Sequence, residues 1–168
     1  MVRLKLIKRL RSLRNLELFN IFFLPACLYV VLSIREITNW QPYAVSMASI
    51  CVLLVQGTVY WHLKLESVRR QKTLSYETCR TFAFLKKANL LLFTVYPLLC
   101  FPGKVVPTMN YQVSFWSNLL YVFAILEYVN YYHYQLSHDN KNDLRYLLSH
   151  KRLRRSPLWK DLHRCSNV

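Results

Sequence analysis

Four stretches of the chain hold no Asp, Glu, Lys or Arg: Leu18 to Ile34, Ile37 to Leu63, Ala88 to Gly103 and Val105 to Leu126, with 17, 27, 16 and 22 residues. A bilayer's hydrocarbon layer is about 30 Å thick and a helix rises about 1.5 Å per residue, so about 17 to 25 apolar residues cross it. The third stretch is short, and it gains length if its helix begins near Ser75 or Glu77 while Lys86 and Lys87 reach toward the headgroups. Helices of a soluble domain would carry charged side chains every three or four positions on their outer sides, and these blocks carry none. The pattern predicts an all-α, integral membrane four-helix bundle over 16–135, with spans at about 16–34, 42–63, 86–103 and 105–127.

The charged segments between the blocks have patterns of their own. In 1–15, Val2, Leu6, Leu10 and Leu13 recur at helical spacing among Arg3, Lys5, Lys8, Arg9 and Arg11, which predicts an amphipathic helix along the inner leaflet. Residues 64–85 read as a helical hairpin that continues the second span and leads into the third, with Thr73 or Ser75 as the cap. In the tail, 136–168, the Asp139, Asn140, Asn142 and Asp143 cluster suits the cap of a helix bearing Leu144, Leu147 and Leu148. Ser156 and Pro157 then read as the cap and first residue of a last short helix with Trp159 and Leu162 on its apolar side. Pro25 and Pro97 each remove one backbone hydrogen bond within a span, and Thr94 stands close enough to help satisfy the second.

Charge fixes the orientation. There are 23 Lys and Arg against 8 Asp and Glu, a net charge of +15, while 54% of the residues are apolar; that combination excludes intrinsic disorder. The basic residues fall 6 before the first span, 1 in the next loop, 7 from Lys64 to Lys87, 1 between the last two spans and 8 after Glu127. Retention of positive charge on the cytoplasmic side then places both termini and the middle hairpin in the cytoplasm. Sorting of the cations into these segments makes nucleic acid an unlikely partner and anionic lipid headgroups a natural one. Trp40, Tyr43 and Tyr111 fall at the outer boundary and Tyr60, Trp61 and Tyr128 at the inner one. The first span lacks a small-x-small cleavage site and reads as uncleaved. Cys79 and Cys165 fall in the reducing compartment, so the five cysteines imply no disulfide framework.

Polar residues inside the spans mark candidate chemistry, since unpaired polar groups are costly in hydrocarbon. Asn20, His62, Asn89 and Glu127 share one depth near the cytoplasmic boundary, and Asn130 continues the Glu127 side of the fourth helix. They read either as a polar pocket or half of an ion path centred on Glu127, or as interfacial side chains that bond to one another and fix helix register. Gln56 and Asn118 lie deeper, and Asn118 is half a turn round from Glu127, which gives the fourth span polar groups on two sides. Such a helix is either central in its own bundle or meets a partner protein. The run Lys151, Arg152, Arg154 and Arg155, followed by Trp159, is a candidate lipid or partner contact.

Catalytic spacings are sparse. His133 and His138, five positions apart, point about 140° away from each other on a helix and cannot share a metal. His138 and Asp143 have the spacing of an acyltransferase dyad, and Arg145 and His150 that of a ribonuclease motif, but the accompanying elements are absent. Only Gly57 and Gly103 are available, too few for a phosphate-cradling loop, and no cofactor or metal motif is present.

The run from Glu127 through Tyr134, Asp139-Asn140, Asp143-Leu144-Arg145-Tyr146 and Lys151-Arg152-Leu153 to Ser156-Pro157-Leu158-Trp159 resembles the tail of small uncharacterised four-span proteins of bacteria, notably cyanobacteria. The resemblance implies a bacterial inner or thylakoid membrane and carries over no catalytic residue. The function expected is that of a non-catalytic accessory or assembly subunit of a larger membrane complex. An oligomeric transporter or pore built on the Glu127 layer is the second reading, and a lipid-modifying enzyme at the inner leaflet the third.

Overall fold

The computed structural model describes residues 2–38, 40–100, 111–136, 145, 149 and 152–166. Five helices run through them: α1 Val2–Ile34, α2 Gln41–Arg70, α3 Tyr76–Cys100, α4 Tyr111–Tyr132 and α5 Pro157–Ser166. Apart from an isolated bridge between Tyr134 and Arg155, the regular structure of the described residues is helical, as the all-α expectation requires. At about 1.5 Å per residue α1 and α2 are about 50 and 45 Å long. Both are long and apolar enough to cross a membrane.

The helix ends follow local chemistry. Glu36 and Gln71 take left-handed φ angles of 51° and 56° and close α1 and α2. At these turns the amides of Ile37 and Lys72 donate to the Leu32 and Ser67 carbonyls at 3.0 and 3.1 Å, capping carbonyls the helix leaves open. Ser75 caps α3 by accepting the Thr78 amide at 3.3 Å, and Ser156 caps α5 by accepting the Trp159 amide at 3.0 Å. Both caps, and the hairpin between α2 and α3, lie where the sequence places them.

The N-terminus differs from its expectation. Residues 2–15 form the first turns of the continuous helix α1, antiparallel to α2, rather than a separate amphipathic helix. The Arg3 guanidinium donates to the Val68 and Arg69 carbonyls at 3.2 and 2.8 Å, setting a cation on the negative end of α2. No proline or glycine interrupts the chain before Pro25, so nothing breaks the helix between its basic and apolar parts.

Helix α2 is the centre of the bundle, packed by α1, α3 and α4. Its Ile50, Leu53, Leu54 and Tyr60 are buried while Val52, Val55 and Val59 face outward. Aromatic rings fill much of the core: Phe93 meets Tyr121 and Tyr128 edge-on at 6.2 and 5.5 Å, and Phe82 meets Tyr60 at 5.8 Å. Pro97 stands inside α3 and leaves the Phe93 carbonyl without its usual amide. The Tyr121 hydroxyl donates to that carbonyl at 2.8 Å, whereas Thr94 turns to the Leu91 carbonyl. Tyr121 thus takes the role that the sequence reading gave Thr94.

The outer surface is apolar. No side chain from Leu16 to Ile34 is fully buried, and Phe22 is 72% exposed. Leu90, Leu91, Val95 and Leu98 face outward on α3, as do Phe115, Trp116, Leu119, Val122, Phe123 and Leu126 on α4. A water-facing surface of this kind would be a large aggregation-prone patch. In lipid it is the ordinary exterior of a helix bundle.

Candidate functional site

Residues that share one depth in the sequence separate in three dimensions. Asn89 of α3 is buried and forms a reciprocal amide pair with Gln56 of α2: Gln56 Nε2 donates to Asn89 Oδ1 at 3.0 Å, and Asn89 Nδ2 to Gln56 Oε1 at 2.8 Å. The Tyr132 hydroxyl of α4 donates to the same Gln56 oxygen at 2.7 Å, joining three helices. His62 lies on an exposed face of α2, its Nδ1 3.4 Å from the Arg14 guanidinium. Glu127 is half-buried and hydrogen-bonded to Asn130, whose Oδ1 also accepts the Leu136 amide at 2.8 Å. Asn20 is half-buried on α1. Among the described residues no hydrogen bond joins Asn20, His62, Asn89 and Glu127 into one pocket. Asn89 bonds to Gln56 and His62 meets Arg14 across helices, while Glu127 bonds to Asn130 within α4.

A second polar link, between α3 and α4, explains Asn118. The Tyr96 hydroxyl lies 2.9 Å from Ser117 Oγ and 2.8 Å from Asn118 Oδ1, and Ser46 reaches the Ser117 carbonyl at 3.4 Å. With Ala124, Tyr128 and Tyr132 buried as well, α4 is engaged on both of its polar sides by its own bundle, packing on α2, α3 and α5. Gln56 and Asn89 offer a direct test. Asn89→Ala is expected to lower stability by about 1 to 2 kcal/mol, because the Gln56 amide stays buried with fewer partners. Gln56→Leu and Asn89→Leu combined with Tyr132→Phe remove all three polar groups and are expected to recover most of that loss. Thermal unfolding followed by circular dichroism in detergent measures both, and equal loss in the triple variant contradicts the pairing.

The end of the tail folds back onto the helices. The Gln135 amide donates to the Arg154 carbonyl at 2.8 Å and the Ser156 amide to the His133 carbonyl at 3.1 Å, while Ser156 Oγ donates to the Tyr131 carbonyl at 2.6 Å. Arg155 lies over the Tyr134 and Trp159 rings at 4.3 and 4.8 Å, and Trp159 stacks on His163 at 3.7 Å. Leu158 is buried, and the buried Asp161 carboxylate accepts from Tyr60 at 2.8 Å and Lys64 at 2.6 Å. Burial, then the charges of Lys86 and Arg155, lower the His133 pKa. Of the basic run, Arg152 is exposed, Arg154 and Arg155 take part in docking, and Lys151 lies outside the described residues. So do His138, Asp143, Leu144, Leu147 and Leu148, while Arg145 and Ser149 of the helix expected there are helical.

Cys79 at the start of α3 and Cys165 at the end of α5 form a disulfide, with sulfurs 2.11 Å apart. The sequence implied no such pairing; the arrangement lets the two thiols bridge wherever the surroundings are oxidising. The two lie 86 positions apart in sequence, and only the return of α5 across the bundle brings them together.

Between α1, α2, the end of α4 and α5 lies a cleft of about 360 Å³. Leu6, Leu10 and Leu13 form one wall, and Trp61, Asn130 and Tyr131 are among the residues facing them. Five cationic side chains and two carboxylates, Glu17 and Asp161, border it. Sequence reading did not foresee this cleft, because its residues come from four separated segments. An apolar cleft of about 650 Å³ lies at the other end of α1, lined by Pro25, Leu28, Tyr29, Leu32, Trp40 and Met47 among others. Among the described residues no three His, Cys, Asp or Glu side chains gather as a metal ion would require.

Fold and site together define a class: an all-helical protein with membrane-crossing helices by length and composition, polar side chains paired inside, and a cation-bordered cleft at one end. No family model, curated protein or solved structure matches the chain.

Proposed function

We propose that the chain is a four-span, non-enzymatic accessory or assembly subunit of a larger complex in a bacterial inner or thylakoid membrane. Both termini and the 64–85 hairpin face the cytoplasm in this reading. The sorting of positive charge supports the orientation, and the outward apolar faces of α3 and α4 support membrane burial of those helices beside α1 and α2.

The one-sided packing of α1 carries the proposal. Its principal neighbour is α2. The rest of its perimeter presents Phe19, Phe22, Tyr29 and Val30, with Ala26 and Ser33 as small residues between the rings. Large rings alternating with notches suit close packing by a helix of another membrane protein. The 650 Å³ cleft beside Tyr29 and Trp40 continues that surface and offers room for a partner's side chains. Engagement of His62, Asn89 and Glu127 with different partners counts against the pore reading.

A photo-crosslinking residue at Phe22, in cells expressing the full chain, is expected to capture a second membrane polypeptide, while one at Leu91 captures little. A particle no larger than the lone chain in mild detergent, with crosslinks to lipid only, overturns the proposal. The same cells test orientation by thiol alkylation before lysis, because the cytoplasm keeps thiols reduced. Cys79 and Cys165 bridged in living cells would place this face in an oxidising compartment and reverse the assignment.

A further inference from the structure

We infer that the cleft between α1, α2, α4 and α5 is a binding site for the phosphate-bearing headgroup of an anionic phospholipid. The inference rests on the membrane reading above and adds a ligand to it. Three observations converge.

First, the cleft is cationic where it opens. Arg9 comes from α1, Lys64 from α2, Arg154 from the segment before α5, and Lys160 and Arg164 from α5. Asp161 and Lys64 neutralise each other, which leaves Arg9, Arg154, Lys160 and Arg164 against the single carboxylate of Glu17 in the lining. The summed field favours an anion, and arginines are suited to phosphate oxygens.

Second, one polar atom in its lining is buried with no hydrogen-bond partner within bonding distance, Trp61 Nε1. The buried Tyr131 hydroxyl lies against the Glu17 carboxylate; burial first, then that carboxylate, raise its pKa and keep it protonated. Buried donors are ordinarily partnered, by protein or by a ligand. An indole N–H has donor capacity alone, so whatever satisfies Trp61 must be an acceptor.

Third, the opposite wall is hydrocarbon. Leu6, Leu10 and Leu13 follow one side of α1, and Leu10 is buried. A free inorganic anion gains nothing from that wall, whereas the glycerol and first methylenes of a phospholipid do. The volume suits a headgroup and is too small for a folded partner. Trp61 stands at the cytoplasmic end of the second span, the depth at which lipid phosphates lie.

The test uses the full chain purified in an uncharged detergent and titrated with phosphatidylglycerol, phosphatidylcholine or inorganic phosphate, with bound lipid read by native mass spectrometry. Phosphatidylglycerol is expected to be retained about ten-fold better than phosphatidylcholine, with inorganic phosphate failing to compete. Trp61→Phe keeps the ring and loses the donor; Arg164→Gln changes an exposed side chain and leaves the core untouched. Each is expected to weaken phosphatidylglycerol retention several-fold, roughly additively across the cleft. Equal retention of both lipids, undiminished retention in Arg164→Gln, or full competition by phosphate alone overturns the lipid site. These results in a protein that still resists alkaline extraction overturn the site and leave the membrane reading standing. Release of the chain by alkaline washing overturns both.

Discussion

Asp161→Ala is expected to detach α5 from the bundle, the largest single-residue effect at this end of the molecule. The carboxylate is 7% exposed and accepts both the Tyr60 hydroxyl and the Lys64 ammonium. Its removal leaves a buried hydroxyl and a mostly buried ammonium without their partner. Removing one member of a buried ion pair typically costs about 3 to 5 kcal/mol. The Lys64 side chain keeps 26% exposure, and water recovers part of that, so about 2 to 3 kcal/mol is expected here. Limited proteolysis reads the outcome: cleavage between Arg152 and Trp159 should speed up by roughly thirty-fold or more if opening is the gating step. The Cys79–Cys165 bridge holds the far end of α5, so the assay is run with and without reductant. Lys64→Met and Tyr60→Phe combined with Asp161→Leu exchange the whole polar group for apolar side chains and are expected to restore protection. Unchanged cleavage in Asp161→Ala would show that the pair contributes nothing to docking.

Gly57→Ala is expected to disrupt the contact between α2 and α4. A Cβ at Gly57 would stand 2.4 Å from the Tyr131 hydroxyl oxygen and 2.5 and 2.6 Å from two ring carbons. The ring is buried and cannot swing clear, so the helices must separate. Overpacking of this kind costs about 1 to 3 kcal/mol. In a membrane the loss falls on the close packing that holds helices together, since burial from lipid adds little. A fall of several degrees in the melting temperature in detergent is expected for Gly57→Ala, and a larger one for Gly57→Val. Tyr131→Leu in the Gly57→Ala background opens the space and is expected to recover part of the loss. A melting temperature equal to that of the native chain would mean that the close approach carries no weight.

Much of this fold was legible in the sequence because local rules produce it. The uncharged blocks marked where long helices run, and Ser75 and Ser156 marked where two of them begin. The ends of α1 and α2 were harder, since Glu36 and Gln71 take the left-handed position where glycine is the usual signal. Depth along the membrane was read for Asn89 and Glu127, but depth is one coordinate and partnership needs the azimuth about each helix as well. That is why Asn89 pairs with Gln56, which seemed deeper, and His62 faces Arg14. The two polar sides of α4 raised the idea of a partner protein there; both are engaged within the chain, and the exposed face of α1 is the better candidate.

By itself the sequence determined the helical class, the length and apolar character of α1 and α2 and the sorting of positive charge along the chain, because each depends on residues adjacent in sequence. Only the tertiary structure decided that α1 runs unbroken along α2, that Tyr121 satisfies the carbonyl Pro97 frees, that Cys79 meets Cys165, and that four segments enclose a cation-bordered cleft. The return of α5 is what makes the difference. It brings residues nearly a hundred positions apart into contact through Asp161 and Lys64, and no pattern with the period of a helix records such a pairing.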